Sequence, residues 1–255
     1  MLSAGAGALW EKIIDATGER NLFGIENLAG IPGTMGGAAV QNIGAYGAEF
    51  SDVFSYADTI NSVTGARERI TRADAAFAYR TGFFKEHREH IVLHVALRLP
   101  KQAEPNITYA DLARAHAEGT PLQTPKDIIR AIRAIRTAKF PDTTKEGTAG
   151  SFFKNPVLLR ASADALTARF PDLPLFPQGD GTVKISLAWL LDHVLSLKGF
   201  SKGPVRLYEK QPLIIVARAG ATAAEVDAFA NEIAERVLAA TGIAIEREVE
   251  TFGTR

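Results

Sequence analysis

Between Gly24 and Gly47 the chain reads GIENLAGIPGTMGGAAVQNIGAYG, and no other stretch limits so strongly what it can fold into. Glycine loses more conformational freedom on folding than any other residue, so so many of them weaken a helix and a strand alike. The stretch is therefore expected to be mostly tight turns and backbone brought close to something else. It carries neither a dinucleotide fingerprint opening a helix nor a P-loop lysine, which disfavours those two nucleotide folds.

The flanking segments read as regular structure. A short helix is expected around Ala8 to Thr17. IVLHVALRL sets Ile91, Leu93, Val95, Leu97 and Leu99 against Val92, His94, Ala96 and Arg98, the period of a strand. NSVTG at Asn61 to Gly65 marks a turn, and Thr71 is expected to cap a short helix. In TPKDIIRAIRAIRTAK, residues Thr124, Pro125 and Asp127 occupy the N-cap, N1 and N3 positions of a helix. Its buried face is Ile128, Ile132 and Ile135, with Arg130, Arg133 and Arg136 expected in solvent. SLAWLLDHVLSLKG reads as a second amphipathic helix and IIVA in QPLIIVARAG as a buried strand. A third helix runs from Thr222 to about Ala240, with Thr222 and Glu225 as a capping box and Gly242 past its end. Strands and helices alternate, giving an α+β or α/β layer around one sheet.

Charge and composition exclude several classes. Lys plus Arg and Asp plus Glu number 29 each, so no net field attracts nucleic acid or an anionic membrane surface. Any anionic ligand must be held by local cations. Without cysteine there is no disulfide and no thiolate nucleophile, which suits a reducing cytoplasm. No apolar run approaches a membrane span. His90 and His94 read as strand residues, no two-histidine helical spacing occurs, and no metal is expected.

Three scattered segments carry polar groups beside apolar ones: AYRTGFFK with Tyr79 and Arg80, AGSFFKNP with Ser151, and AIEREVE with Glu248. If AGSFFKNP is a strand, Ser151, Phe153 and Asn155 face one side while Phe152 and Lys154 face the other. Ser151 and Asn155 then reach one ligand and Phe152 packs into the core. One arginine, one serine and one glutamate serve many chemistries.

ENLAGIPGTMGGAAVQNIGAYG, YRTGFFK, the run from Lys139 to Pro156 and the terminal IEREVE, in this order, resemble the UDP-N-acetylenolpyruvoylglucosamine reductase family, and TYADL around Tyr109 resembles its tyrosine-loop subtype. The resemblance implies an α+β architecture. Residues 1–140 would belong to an FAD-binding domain of the vanillyl-alcohol-oxidase type, as its second subdomain. Residues 141–255 would form a substrate-binding domain whose last strand, near 243–253, returns the catalytic glutamate to the site. The implied reaction passes hydride from NADPH through FAD to the enolpyruvyl ether, completing UDP-N-acetylmuramate for peptidoglycan in the cytoplasm. The partner is a small-molecule substrate, with no obligate protein partner.

By the same resemblance Ser151, Arg80 and Glu248 are catalytic. Ile31, Pro32, Gly33, Thr34, Gly36, Gly37, Asn42, Gly44, Ala45, Tyr79 and Arg136 fall at cofactor contacts. Tyr46, Tyr109, Lys139, Asn155, Lys184 and Gln211 fall at substrate contacts. The chemistry accounts for the residue types. Hydride added to the β-carbon of an enol ether conjugated to a carboxylate leaves an enediolate, whose growing charge a cation such as Arg80 stabilises, with Lys139 holding anionic groups. The α-carbon is then protonated from one face by a positioned acid, for which a neutral hydroxyl such as Ser151 suffices, with Glu248 as its partner. The small residues from Gly30 to Gly47 would let backbone N–H groups approach the pyrophosphate and the ring.

Two departures from the family pattern shape further expectations. The chain begins at what resembles the strand-to-helix passage inside the flavin domain, so a truncated N-terminus, an exposed sheet edge and weak or absent FAD binding are expected. Glu250 stands where the family usually has arginine, and it would repel an anionic ligand unless Arg247, Arg255 or Lys210 takes over. Two other readings compete: a non-catalytic UDP-sugar-binding module, and a related FAD-dependent oxidase.

Overall fold

Trp10, Ile14 and Thr17 recur at helical spacing, and all three are buried. They form the inner face of the first helix in the computed structural model, which describes residues 1–253. The chain divides into two units, Met1–Ala138 and Lys139–Arg255.

In the first unit the elements run β1 (Leu2–Gly5), α1 (Trp10–Glu19), α2 (Met35–Gln41), β2 (Gly44–Ala45), β3 (Ala48–Glu49), β4 (Phe54–Asn61), β5 (Arg67–Thr71), α3 (Phe83–Glu86), β6 (His90–Leu97), α4 (Ala110–Ala117) and α5 (Pro125–Lys139). Strands β1, β6, β4 and β5 form an antiparallel sheet in that order. Trp10, Ile14, Phe50, Phe54, Leu97, Ile128 and Ile132 fill one core beneath it. The indole of Trp10 donates to the Leu28 carbonyl at 3.0 Å, which satisfies its buried N–H.

Two expectations are corrected here and one is refined. The glycine-rich stretch, expected to be mostly turns, also contains α2. Tertiary contacts override the weak propensity of its glycines. Met35 N–H donates to Ala8 O and Gly36 N–H to Ala6 O, each at 2.9 Å, while Thr34 caps the helix by accepting from Gly37 N–H at 3.3 Å. Second, Thr71 caps only a single turn. Its hydroxyl and Asp74 bond reciprocally, but Ala76 adopts a positive φ of 41° and stops further winding. Third, Arg133 is not simply solvated. It pairs with Glu11 at 2.5 Å and Asp15 at 2.8 Å, locking α5 to α1. Arg130 does stay at the surface, 2.9 Å from Asp127.

Glu26 is buried, and its carboxylate accepts the Gly24 N–H at 2.5 Å. Burial pushes its pKa above 4.5, opposed by backbone N–H groups of Glu26, Gly24 and Ile25. A carboxyl whose folded pKa is raised contributes stability below its unfolded pKa, and that contribution is lost as pH rises through the folded value. Glu26→Gln keeps an acceptor for Gly24. It should therefore raise the Tm at about pH 8, by roughly 2–4 °C for each kcal/mol regained, and leave it unchanged near pH 4. Melting curves giving the same shift at both pH values would remove charge burial as the cause.

The second unit runs β7 (Gly147–Ser151), β8 (Val157–Leu159), α6 (Arg160–Arg169), β9 (Leu175–Pro177), β10 (Thr182–Ile185), α7 (Leu187–Trp189), β11 (Ser201–Lys202), β12 (Val205–Tyr208), β13 (Gln211–Ala217) and α8 (Ala223–Thr241). One sheet has the order β11-β12-β13-β7 and a smaller one β8-β10-β9. Leu213, Ile214, Ile215 and Val216 of β13 are all buried, because Leu213 and Ile215 enter the main core while Ile214 and Val216 pack with Tyr208 and Phe140 on the other face. Thr222 and Glu225 form the capping box of α8, and Gly242 ends it at a positive φ of 78°.

Here too the structure departs from pattern. SLAWLLDHVLSLKG is not one regular helix, since α7 passes into a π-helical turn at Leu190–Val194. That wider turn brings Leu187, Leu190 and Leu191 to the core together, before Ser196 ends the helix at a φ of 51°. The last strand near 243–253 is not a strand. It is an irregular strap with one isolated antiparallel bridge, Phe153 to Arg247. The facing segment cannot extend a ladder past Asn155, because Pro156 has no N–H to donate.

Candidate active site

In the first unit Asn42, Gly44, Tyr79 and Arg80 form one knot and Tyr46, Tyr109 and Arg136 a second, joined by residues 44–46. The first is built on Asn42, which ends α2 in the left-handed region and is buried. Its amide donates to Ala78 O at 3.0 Å, holding the turn that carries Tyr79 and Arg80. Arg80, itself at a positive φ of 58°, donates to Gly44 O at 2.6 Å and to Asn42 O at 3.4 Å. Its guanidinium lies 5.1 Å from the centre of the Tyr79 ring. A Cβ at Gly44 would stand 2.7 Å from that guanidinium, so only glycine admits the approach.

Tyr46 centres the second knot. It is buried at a positive φ of 48°, hydrogen-bonded to Arg136 and packed edge-on to Tyr109 with ring centres 5.1 Å apart. Arg136 also donates to Gly30 O at 3.0 Å. Burial first, then the Asp111 and Tyr109 charges, push the Tyr46 hydroxyl up to about 12 against the pull of Arg136. Tyr46 is thus a neutral hydroxyl at physiological pH. Ala45 pairs with Ala48 in the β2–β3 hairpin between the knots.

The second unit holds Ser151 at the end of β7, opposite Ile214 of β13. Glu248 sits on the strap, and its N–H donates to Phe152 O at 2.8 Å, so Ser151 and Glu248 lie on directly adjoining segments. Arg80 belongs to the other unit. The strand reading of AGSFFKNP is corrected: both Phe152 and Phe153 are buried in the second core. Alternation fails because the segment changes partner, Phe152 N–H bonding to Leu213 of β13 and Lys154 N–H to Glu246 of the strap. Asn155 accepts the Leu187 N–H at 3.0 Å at the start of α7, a structural bond for a residue expected at the substrate. Lys184 lies between Val157 and Phe176 in the small sheet, and Gln211 opens β13. Lys139 is the last residue of α5.

Comparison with known proteins shows the family to which the chain belongs. A model of the C-terminal domain of UDP-N-acetylenolpyruvoylglucosamine reductase matches residues 142–252, and an FAD binding domain model matches residues 1–72. Curated relatives named UDP-N-acetylenolpyruvoylglucosamine reductase, from Burkholderia cenocepacia (strain HI2424) and Burkholderia orbicola (strain AU 1054), are 44% identical over 252 residues, covering 97% of this chain and 72% of theirs. The chain belongs to the UDP-N-acetylenolpyruvoylglucosamine reductase family. A crystal structure of UDP-N-acetylenolpyruvylglucosamine reductase from Thermus caldophilus shares its fold, with a TM-score of 0.66 at 22% identity, over 98% of this chain and 71% of that one.

A reductase of this family needs a surface for FAD, and residues 31–37 provide a test. The expected cradle of amides is corrected in part, since the N–H groups of Gly36 and Gly37 are engaged by Ala6 and Thr34. What fits the cofactor is bare backbone. Pro32, Gly33 and Gly37 are exposed while Ile31 and Thr34 are partly so. Gly36 is required internally, because a Cβ there would meet the Ala6 Cβ at 2.9 Å. At Gly37 a Cβ would make only an ordinary contact, 3.6 Å from the Thr34 hydroxyl. An exposed helical glycine without a packing need costs about 1 kcal/mol relative to alanine, so Gly37 leaves room there for a close approach.

Two supporting residues escaped the reading of the reductase sequence. Lys85 donates to Gln41 Oε1 at 3.0 Å and to Arg80 O at 3.3 Å, bracing the Arg80 turn, and its place in YRTGFFK was the available signal. Asn27 donates to Tyr46 O at 2.7 Å and Asn106 O at 2.8 Å, while its own buried Oδ1 has no partner among the described residues. Nothing local to Asn27 announces this. Arg247, one of the three cations that could offset Glu250, donates to Asp227 and Asn231. Arg255 lies outside the described residues. Among the described residues no group of His, Asp and Glu is arranged to hold a metal, and no helix is long and apolar enough to cross a membrane.

Proposed function

We propose that this chain reduces UDP-N-acetylenolpyruvoylglucosamine to UDP-N-acetylmuramate, with NADPH as the hydride donor. As a member of the reductase family it is an FAD-dependent oxidoreductase of peptidoglycan precursor synthesis. Bound flavin supplies the hydride, and Ile31, Pro32, Gly33, Thr34, Gly36, Gly37, Asn42, Gly44, Ala45, Tyr79 and Arg136 would hold it. Tyr46, Tyr109, Lys139, Asn155, Lys184 and Gln211 would serve the sugar nucleotide. The absence of cysteine suits a reducing cytoplasm, where we place the reaction.

The chain's own residues then divide the work. Arg80, its fork oriented by the carbonyls of Asn42 and Gly44, stabilises the charge that grows on the substrate carboxylate. Ser151 donates a proton from its Oγ to the α-carbon, and Glu248 orients or stabilises that centre. The observation that carries this reading is the adjoining of the Ser151 and Glu248 segments through the bond from Glu248 N–H to Phe152 O.

The test is a flavin titration of the purified chain by fluorescence quenching, followed by NADPH oxidation with and without the enolpyruvyl sugar nucleotide. Stoichiometric flavin and substrate-dependent oxidation support the reading. Binding of a UDP-sugar with no flavin would transfer the chain to the non-catalytic module, and alcohol oxidation with dioxygen to the oxidase. Gly37→Ala adds an internal check. It should stabilise the flavin-free chain by about 0.5–1 kcal/mol and weaken flavin binding, and a variant with unchanged flavin affinity removes Gly37 from the cofactor surface.

A further inference from the structure

Glu248 is carried by a strap that makes very little regular structure. Two backbone bonds tie it to the Ser151 segment, Lys154 N–H to Glu246 O at 2.9 Å and Glu248 N–H to Phe152 O at 2.8 Å. A single bridge of this kind leaves a segment free to open locally, because few bonds must break at once. Ile245 and Val249 pack the strap against the second core, and a polar anchor beside Glu248 would fix its position further.

The residue directly before Glu248 is placed to do so. Arg247 donates from one nitrogen to the Asp227 carboxylate, and from the other to Asn231 Oδ1 at 2.8 Å and Asp227 O at 3.3 Å. Asp227 and Asn231 are one turn apart on α8, whose Phe229, Ala230, Ile233 and Val237 are anchored in the second core. The guanidinium also lies 5.7 Å from the centre of the Phe152 ring. A planar fork can meet three acceptors at once, which a lysine ammonium on a flexible stem cannot do in the same geometry. A second tie, Lys154 to Glu246 at 3.0 Å, is more exposed on its acid side and correspondingly weaker.

We propose that Arg247 is a positioning residue, which fastens the strap to α8 and thereby sets Glu248 against the Ser151 segment. The proposal rests on the reading of Ser151 and Glu248 as site residues. All of its contacts lie within one unit.

Arg247→Ala and Arg247→Lys test it, with Glu248→Gln measured beside them. Hydrogen exchange of the Lys154 and Glu248 amides should quicken roughly tenfold in Arg247→Ala, as loss of a charge-assisted bond implies, while β12 and β13 amides stay as they are. In the flavin-loaded protein kcat should fall by up to roughly 10²-fold with KM little changed, since misplacement acts on the reacting centre. Arg247→Lys should fall between, and it carries the test if the alanine variant melts too low to assay. Unchanged exchange at Lys154 and Glu248 overturns the proposal. So does unchanged kcat in Arg247→Ala while Glu248→Gln is impaired. Full turnover in Glu248→Gln would instead overturn the role given to Glu248 above, and the exchange measurement would still judge whether Arg247 holds the strap.

Discussion

Replacing Ser151 with alanine is expected to lower turnover of the enolpyruvyl sugar nucleotide by roughly 10²–10⁴-fold, the usual contribution of a positioned proton donor. KM should move little, because the hydroxyl is needed where the α-carbon is protonated and not for holding the ground state. The variant should also fold normally. Ser151 sits opposite Ile214, whose burial in the sheet places the backbone whatever the small side chain at 151. Stopped-flow absorbance separates the two halves of the reaction. Flavin bleaching by NADPH should keep its rate, and product formation should carry the whole loss. A loss smaller than about tenfold would hand the proton to another group.

The second large effect is on stability. Phe153→Ala should cost about 3–5 kcal/mol, because the ring is 1% exposed and its removal leaves a cavity lined by the second core. The neighbouring Phe152 ring, 5.3 Å away, cannot fill the space, since it is itself buried in the same cluster. The midpoint of urea unfolding for the second unit should shift accordingly, with the slope preserved. This measurement also judges the two accounts of AGSFFKNP. Strict alternation would put Phe153 on the ligand side with Ser151, and a loss under about 1 kcal/mol would restore that arrangement.

The parts of the fold that were legible are those whose bonds are local. The reciprocal pairs Thr124–Asp127 and Thr222–Glu225 close within one helical turn, so side-chain type and spacing suffice to place the helix starts. Strand β6 was legible as a strand from its alternation, but its burial does not follow that alternation, since Val95, Ala96 and Leu97 are buried in succession and Ile91 is exposed. Helix α2 was not, because its first N–H groups find acceptors on Ala6 and Ala8, residues that no local pattern connects to Met35 and Gly36. The same holds for Arg133, whose partners Glu11 and Asp15 lie on another helix.

At the candidate site the residue types were legible through the family resemblance, and the geometry was not. Gly44 and Arg80 belong to separate motifs, and only the folded chain brings the guanidinium against the glycine carbonyl at 2.6 Å. Ser151 and Glu248 lie far apart in sequence, and an irregular strap joins them where a strand was expected. The sequence by itself determined the helix starts, the strand periodicity, the absence of thiol chemistry and the family. Tertiary structure alone decided which way Phe153 faces, what Arg247 holds and how the glycine-rich stretch winds. The physical reason is one of range: caps and alternation are settled by neighbours along the chain, whereas burial and long-range hydrogen bonds depend on acceptors and apolar surfaces that exist only once the chain has folded.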